Sequence, residues 1–370
     1  MKLAITGQDG FIGYHLYNTV KYKRTEIQLI DFNKDHFESE KDIDLTIKKV
    51  DVIVHLAGLN RSKDQKYLYD QNVLLSQKVL DSIKRVGFKG HLIFASSTQE
   101  KDNNHYGNAK KFSRLLFSKE AKKLGFKFSG LIIPNVFGPF VKPNYNSFIA
   151  TFCYNSIRNI ENKIIEDNQV SLIYVDDLIN KIIKVFNAKP APKIEVSYQE
   201  TTFVSEVKSL IEEIKDKYLE KGEIPELNSK FKIDLFKTFI SYIPYKEFFP
   251  RKYNLMVDQR GSFSELIRTG VSGQVSYSIT ESNKTRGNHF HTRKVERFSV
   301  ISGEALIKIR KINSQESFEF KLSGKIPSYI DMPIWHTHNI ENIGKEPLIT
   351  VFWINELYNE DDSDTFFENV

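Results

Sequence analysis

What most constrains this chain is a change of hydrophobic period partway along it. From Met1 to about Asn187, short apolar runs alternate with longer amphipathic stretches; after about Asn254 the runs become short, close-set and alternating. The first pattern is that of strand–helix–strand units feeding a parallel sheet, because a strand buried on both faces reads as a continuous apolar run and its crossover as a helical stripe. KLAIT, IQLID, VDVIVHL, HLIFAS and FSGLIIP are the predicted strands, KYLYDQNVLLSQKVLDSIKRVG is a predicted crossover helix closed by Gly87, and a further helix is expected from about Thr201 to Tyr218. In the second pattern, QVSYSIT, RFSVISGEALIKIRKI, ESFEFKL and PLITVFWI mix β-branched and aromatic residues with polar ones, which predicts a small β-sandwich or barrel. The proline-punctuated YIPYKEFFPRKY puts the boundary between Ser241 and Tyr253. The expected fold is therefore α/β plus β: a Rossmann-like doubly wound parallel sheet over 1–245 and a β domain over 254–370.

Composition limits the function classes. With 370 residues and 40% of them apolar, the chain can bury two cores, and its longest apolar runs fall short of the roughly 20 residues that cross a bilayer. Met1 and Lys2 lead straight into a strand and a glycine turn rather than a secretion signal, so a cytoplasmic protein with no membrane partner is expected. The single cysteine, Cys153, excludes an intrachain disulfide and a cysteine zinc site, and reads as a packed core thiol. A net charge of +6 is spread along the chain, which favours anionic small ligands over nucleic acid.

The stretch AITGQDGFIGYHL sets Gly7, Gly10, Phe11, Ile12 and Gly13 where the first strand passes into the first helix. Glycines at this spacing allow a tight turn, bring bare amides to a pyrophosphate and aim a helix N-terminus at its charge. VDVIVHLAGLNR ends a strand at His55 to Gly58, where small residues would let the chain pass close to the adenosine side of a dinucleotide, with Leu56, Ala57 and Gly58 as the expected contacts. In HYGNAK, Tyr106 and Lys110 stand four residues apart and share a helix face. An ammonium there is expected to lower the phenol's pKa, so that the tyrosine can give a proton to a nascent alkoxide. Ser97, ending HLIFASS, offers a hydroxyl to a reacting carbonyl. Asp31 closes the second strand where a carboxylate would bind a ribose 2′-hydroxyl, favouring NADH, and Asp176 with Asp177 read as helix N-capping residues.

Together these residues resemble the extended short-chain dehydrogenase/reductase superfamily over roughly the first 245 residues. The resemblance implies that Gly7, Gly10 and Gly13 bind the cofactor, that Ser97 and Tyr106 act on the carbonyl, and that Lys110 also holds the nicotinamide ribose. Family members that dehydrate sugars carry an acidic pair after the hydroxyl residue; here Thr98 and Gln99 follow Ser97, which disfavours a dehydratase.

The second region has its own constellation. RGNHFHTRKVERFSVISG contains His289, His291 and Glu296, and MPIWHTHNIEN adds His338 and Asn342. Histidines two apart on a strand face one side, and three imidazoles with one carboxylate suit Zn²⁺ or another divalent transition metal. The spacing resembles the two metal motifs of the cupin superfamily, which implies a cupin β-barrel. Trp335 stands where that family has glycine between Pro333 and His338, and His336 is an extra histidine, read first as a surface residue or a support beside the motif and second as a pocket base.

The order of domains and the passages NHFHTRK, THNIEN and GPFVKPNYNSFIATFCY resemble the CapF-type bifunctional enzymes of capsular and O-antigen precursor synthesis over the whole chain. That resemblance implies a UDP-linked 2-acetamido-2,6-dideoxy-4-keto-hexose as substrate. It further implies C3 epimerisation by the cupin, then NADPH-dependent C4 reduction to the L-talose derivative on the route to UDP-N-acetyl-L-fucosamine, in a homodimer. Asp31 alone points to NADH; the resemblance points to NADPH, with Lys34 available to offset the acid. Two alternatives stand beside this reading: a reductase whose cupin is only a dimerisation module, and an NAD(P)-sensing protein without catalysis.

Overall fold

The computed structural model describes residues 1–253, 256–258, 261–263, 266–267, 273–356 and 359–370. They form two compact units, Met1–Thr151 with Ile164–Val207, and Phe152–Lys163 with Lys208–Val370.

In the first unit the chain runs β1 (Lys2–Thr6), α1 (Phe11–Lys23), β2 (Gln28–Ile30), α2 (Glu40–Ile47), β3 (Val52–His55), α3 (Gln65–Val86), β4 (His91–Ser97), α4 (His105–Leu124), β5 (Lys127–Ile133), β6 (Asn135–Phe137), α5 (Phe148–Ile157, which runs on into the second unit), β7 (Gln169–Tyr174), α6 (Val175–Val185), β8 (Ile194–Glu195) and β9 (Glu200–Phe203). Six strands make one sheet in the order β2-β1-β3-β4-β5-β8, every neighbour parallel. The Rossmann-like sheet expected from the apolar runs is thus present, and all five predicted strands are in it. Successive strands leave β1 in opposite directions, β2 to one side and β3 to the other. That reversal opens a crevice beyond the carboxyl ends of β1 and β3, where ligands of open α/β sheets bind.

Burial explains the layers. Ala4 and Ile53 on the sheet pack with Ile43 and Ile47 of α2, Val79, Leu80 and Ile83 of α3, and Phe117 of α4. Asp64 caps α3 through the Tyr67 amide, and Gly87 ends it in the left-handed region at φ 66°, as the sequence predicts. At α6 the cap position belongs to Tyr174, which makes no side-chain cap bond; Asp176 and Asp177 sit inside the first turn instead, acting on the positive helix end rather than as caps.

The second unit takes in most of α7 (Val204–Ile214), a π-helical turn at Lys215–Glu220, α8 (Lys230–Ile240), α9 (Tyr245–Phe248) and the β-rich remainder. Thr201–Phe203 belongs to β9 rather than to the expected helix, because the β-branched pair Thr201–Thr202 pairs with Val170 and Ser171. After β10 (Arg251–Lys252), a short antiparallel pair is made by β11 (Met256–Asp258) and β12 (Gly261–Phe263). Then come β13 (Gln274–Thr280), β14 (Thr285–Phe290), β15 (Glu296–Ser302), β16 (Glu304–Lys311), β17 (Ser317–Ser323), β18 (Ser328–Met332), β19 (His336–Asn342), β20 (Leu348–Ile354) and β21 (Phe366–Phe367). Two five-stranded antiparallel sheets result, β10-β18-β15-β20-β13 and β17-β16-β19-β14-β21. Among the described residues they are two sheets, not a closed barrel.

Candidate active site and candidate metal centre

A cleft of about 530 Å³ opens at the reversal point of the first unit. Its walls carry Gly7, Gly10, Phe11, Ile12 and Gly13 from the first turn, Leu56, Ala57 and Gly58 from the end of β3, and Ser97, Tyr106 and Lys110 from β4 and α4. Gly7 has φ 73°, and a Cβ on it would lie 2.9 Å from the Ala57 nitrogen, while a Cβ on Gly13 would overlap the Gly7 carbonyl oxygen. The glycines therefore let two backbones meet at the cleft floor. Helix α1 starts at Gly10 with no side chain capping its first amides, so those donors face the cleft, which suits a cofactor pyrophosphate.

A buried hydrogen-bond chain holds the wall opposite. Ala57 N–H donates to Thr6 Oγ1 (3.1 Å), Thr6 Oγ1 and His55 Nδ1 are 2.6 Å apart, and Ser76 Oγ lies 3.4 Å from His55 Nε2 and donates to the Asn72 carbonyl. Burial, reinforced by the charge on Lys110, pulls His55 down to about 3, so the ring is neutral and accepts from Thr6 at one nitrogen. Asn72 in turn bonds both backbone groups of Leu59. None of Thr6, His55, Asn72 or Ser76 stood out in the sequence; the hint was polar residues inside otherwise apolar buried segments.

On α4, capped by Asn104 through the Gly107 amide at 2.7 Å, Tyr106 and Lys110 do share a face. The Lys110 ammonium donates to the Ala95 carbonyl at 3.1 Å and lies 5.7 Å from the Tyr106 ring centre. Burial pushes the Tyr106 phenol up to about 12 and the Lys110 ammonium down to about 8. The lowered phenol pKa expected from the sequence is not what the structure gives: desolvation outweighs the lysine's influence at this separation. A phenol this high is fully protonated at neutral pH, the form able to donate. Ser97 Oγ accepts from the Gln99 amide at 3.2 Å. Behind it Arg114 grips Glu100 through two bonds of 2.8 and 2.7 Å, tying the turn after β4 to α4. Asp31 follows β2, beside Phe32, whose amide donates to Gln8 of the glycine turn; it is exposed, and the Tyr17 hydroxyl donates to it at 3.2 Å.

In the second unit His289, His291, Glu296 and His338 converge, with one potential ligand atom from each lying within 4.8 Å of all the others. His289 is the penultimate residue of β14, His291 follows the strand, Glu296 opens β15 in the other sheet and His338 lies on β19 opposite His289. His289 and His291, two residues apart, lie with ring centres 4.9 Å from each other, while Phe290 between them packs on Trp335 and Phe366; a bulge between Gly287 and His289 precedes the pair. His291 Nε2 and His338 Nε2 approach Glu296 Oε2 to 3.2 and 3.1 Å, yet all three atoms are buried without hydrogen-bond geometry. Backbone carbonyls of Asp364 and His336 accept from Nδ1 of His291 (2.7 Å) and His338 (3.2 Å), which leaves each Nε2 as a lone-pair donor. Three nitrogens and one oxygen, those of His291, Glu296 and His338 buried and otherwise unsatisfied and that of His289 half-buried beside them, fit a divalent transition metal.

Neighbouring motif residues are placed as follows. Asn342 donates to the Thr280 and Glu346 carbonyls and accepts from Gly344. Trp335 takes φ 59°, keeping the left-handed turn for which glycine is the usual residue, with its ring buried against Phe290. His336 is buried 5.6 Å from the Tyr245 ring, and burial pulls it down to about 4.

A parallel sheet with a glycine-lined cleft at its reversal point defines a nicotinamide-cofactor enzyme of Rossmann-like fold. The family model described as NAD dependent epimerase/dehydratase family matches residues 3–196, and that described as Polysaccharide biosynthesis C-terminal domain matches residues 256–366. A protein of Pseudomonas aeruginosa named UDP-2-acetamido-2,6-beta-L-arabino-hexul-4-ose reductase is 30% identical over 99% of this chain and 98% of its own. The crystal structure of the capsular polysaccharide assembling protein CapF from Staphylococcus aureus is similar over 100% of both chains, with 33% identity and a TM-score of 0.64. The fold alone is shared with RMD from Pseudomonas aeruginosa complexed with NADPH, at 18% identity, TM-score 0.53 and coverage of 58% of this chain and 84% of that one. The chain belongs to the NAD dependent epimerase/dehydratase family, as one of its CapF-type polysaccharide-precursor enzymes. Among the described residues, no helix is long and apolar enough to cross a membrane.

Proposed function

We propose that this chain is a bifunctional nucleotide-sugar enzyme: the first unit reduces C4 of a UDP-2-acetamido-2,6-dideoxy-4-keto-hexose with NADPH, and the β-rich unit, as a cupin, epimerises C3 beforehand. The product is the L-talose derivative that leads to UDP-N-acetyl-L-fucosamine. The observation that carries this reading is the presence of Tyr106 and Lys110 in the same cleft as the three glycines. The 30% identical reductase and the CapF structure, each matching from end to end, support the substrate class.

When bound in this cleft, a reduced nicotinamide would supply hydride to C4. Gly7, Gly10 and Gly13 admit its pyrophosphate, Tyr106 gives its proton to the C4 oxygen, Lys110 restores the charge balance beside it, and Ser97 orients the carbonyl. With a ketone at C4 the hydrogen on C3 is acidic, so epimerisation needs a base to remove that proton and return it to the other face. In the β-rich unit His289, His291, Glu296 and His338 would hold a divalent ion such as Zn²⁺, which supplies Lewis acidity. Reduction then removes the ketone and fixes the configuration.

Supplying the UDP-linked 4-keto sugar should oxidise NADPH, and Tyr106→Phe should lower that rate by about 10²–10⁴-fold while leaving NADPH affinity unchanged. Full turnover in the variant would remove Tyr106 from its role.

A further inference from the structure

Beyond the four ligands, we infer that the C-terminal segment 359–370 is a built part of the metal centre, with Asp364 as the residue that positions His291. This rests on the metal reading of the four-residue cluster. Asp364 is 4% exposed and has φ 46°, a left-handed conformation that turns its backbone carbonyl onto His291 Nδ1 at 2.7 Å. A carbonyl can only accept, so this contact fixes the proton on Nδ1 and presents Nε2 to the cluster. Its side chain makes the turn rigid: one carboxylate accepts from the Thr292 amide, the Thr292 hydroxyl and the Arg293 amide, the two residues that follow the ligand. Such bonds to a carboxylate are among the stronger ones, and here they are buried.

The clasp is reinforced on both sides. Lys294 Nζ donates to the Ser363 carbonyl at 2.6 Å, and Arg293 pairs with Asp362 at 2.9 Å. Beyond the turn, β21 pairs with β14 at His289 and Phe290, so the same segment also borders a second ligand. A tail that merely covered a sheet edge would need the strand pairing alone. The additional carbonyl on a ligand's outer nitrogen, held by a carboxylate with three donors, is what a ligand-orienting role requires.

The test uses the full-length protein, stripped of metal and titrated with Zn²⁺ in competition with a chromogenic chelator, and separately loaded with Co²⁺ to record its visible spectrum. Asp364→Ala should weaken Zn²⁺ binding by about 10–100-fold and alter the Co²⁺ bands, and Asp364→Asn, which keeps an acceptor oxygen, should recover part of the loss. A purely structural role would lower the melting temperature of the metal-free protein without moving either metal readout, and that result would overturn the inference. Should Asp364→Ala not fold, Thr292→Val removes one bond of the same clasp and should still weaken Zn²⁺ by roughly threefold or more; wild-type affinity there would equally overturn it. Wild-type protein that takes up neither ion would refute the metal centre itself, a failure distinct from that of the clasp.

Discussion

His55 illustrates how single residues hold the cleft wall through burial. Its ring is fully enclosed, with Thr6 at one nitrogen and Ser76 at the other. Between pH 6.5 and 3 the unfolded chain carries a proton on this imidazole that the folded chain refuses, so stability rises with pH across the window and is lost as pH falls through it. Relative to His55→Gln, wild type should lose about 1.4 kcal/mol per pH unit as pH drops from about 6.5 towards 4, read from denaturant unfolding at each pH. A constant difference between the two proteins would contradict a buried neutral histidine. Residues for which a chemical role is proposed were legible in the sequence, since Tyr106, Lys110 and the histidine cluster carry recognisable groups at set spacings. Those whose role is to hold others were not: Thr6 and His55 are 49 positions apart, and only the fold makes them neighbours. The same holds for the direction of the Tyr106 shift, because desolvation depends on what covers the phenol.

At the level of elements, strands were easier to read than their ends and pairings. Val175–Val185 and Gln65–Val86 show the helical stripe plainly, whereas Glu200–Phe203 is too short for its period to compete with the helix that follows. Register in the β-rich unit depends on a pair that no pattern announced. Arg297 on β15 and Asp331 on β18 are opposite each other, fully buried, and joined by bonds of 2.8 and 3.1 Å. Arg297 also donates to the Gly222 carbonyl at 2.9 Å and lies 3.8 Å over the Tyr329 ring, while Tyr218, on the π-helical turn, donates to Asp331. Asp331→Ala leaves a guanidinium buried without its anion and should destabilise the protein by about 3–5 kcal/mol, whereas Arg297→Met with Asp331→Leu should cost less than the sum of the single changes. Additive losses in a double-mutant cycle would show that the pair is not the unit that matters.

Over the whole molecule, two hydrophobic periods foretold two kinds of architecture, because a strand covered on both faces and a half-covered strand need different residue patterns. What the periods could not say is how chain segments are shared out: residues 152–163 and the helices after Val207 pack with the β-rich part. Sequence spacing also pointed to the two chemistries proposed for this chain, one needing a phenol beside a nicotinamide and one needing a metal-sized gap among imidazoles. Their combination in one chain makes sense only if the ketone that one activity consumes is the group on which the other depends. The measurement that tests this most directly is turnover of the UDP-linked 4-keto sugar with NADPH in deuterated water, with the product analysed by NMR. The account predicts stoichiometric NADPH oxidation, a new C4 hydroxyl and deuterium at an inverted C3. A reduced product with protium and unchanged configuration at C3 would contradict it.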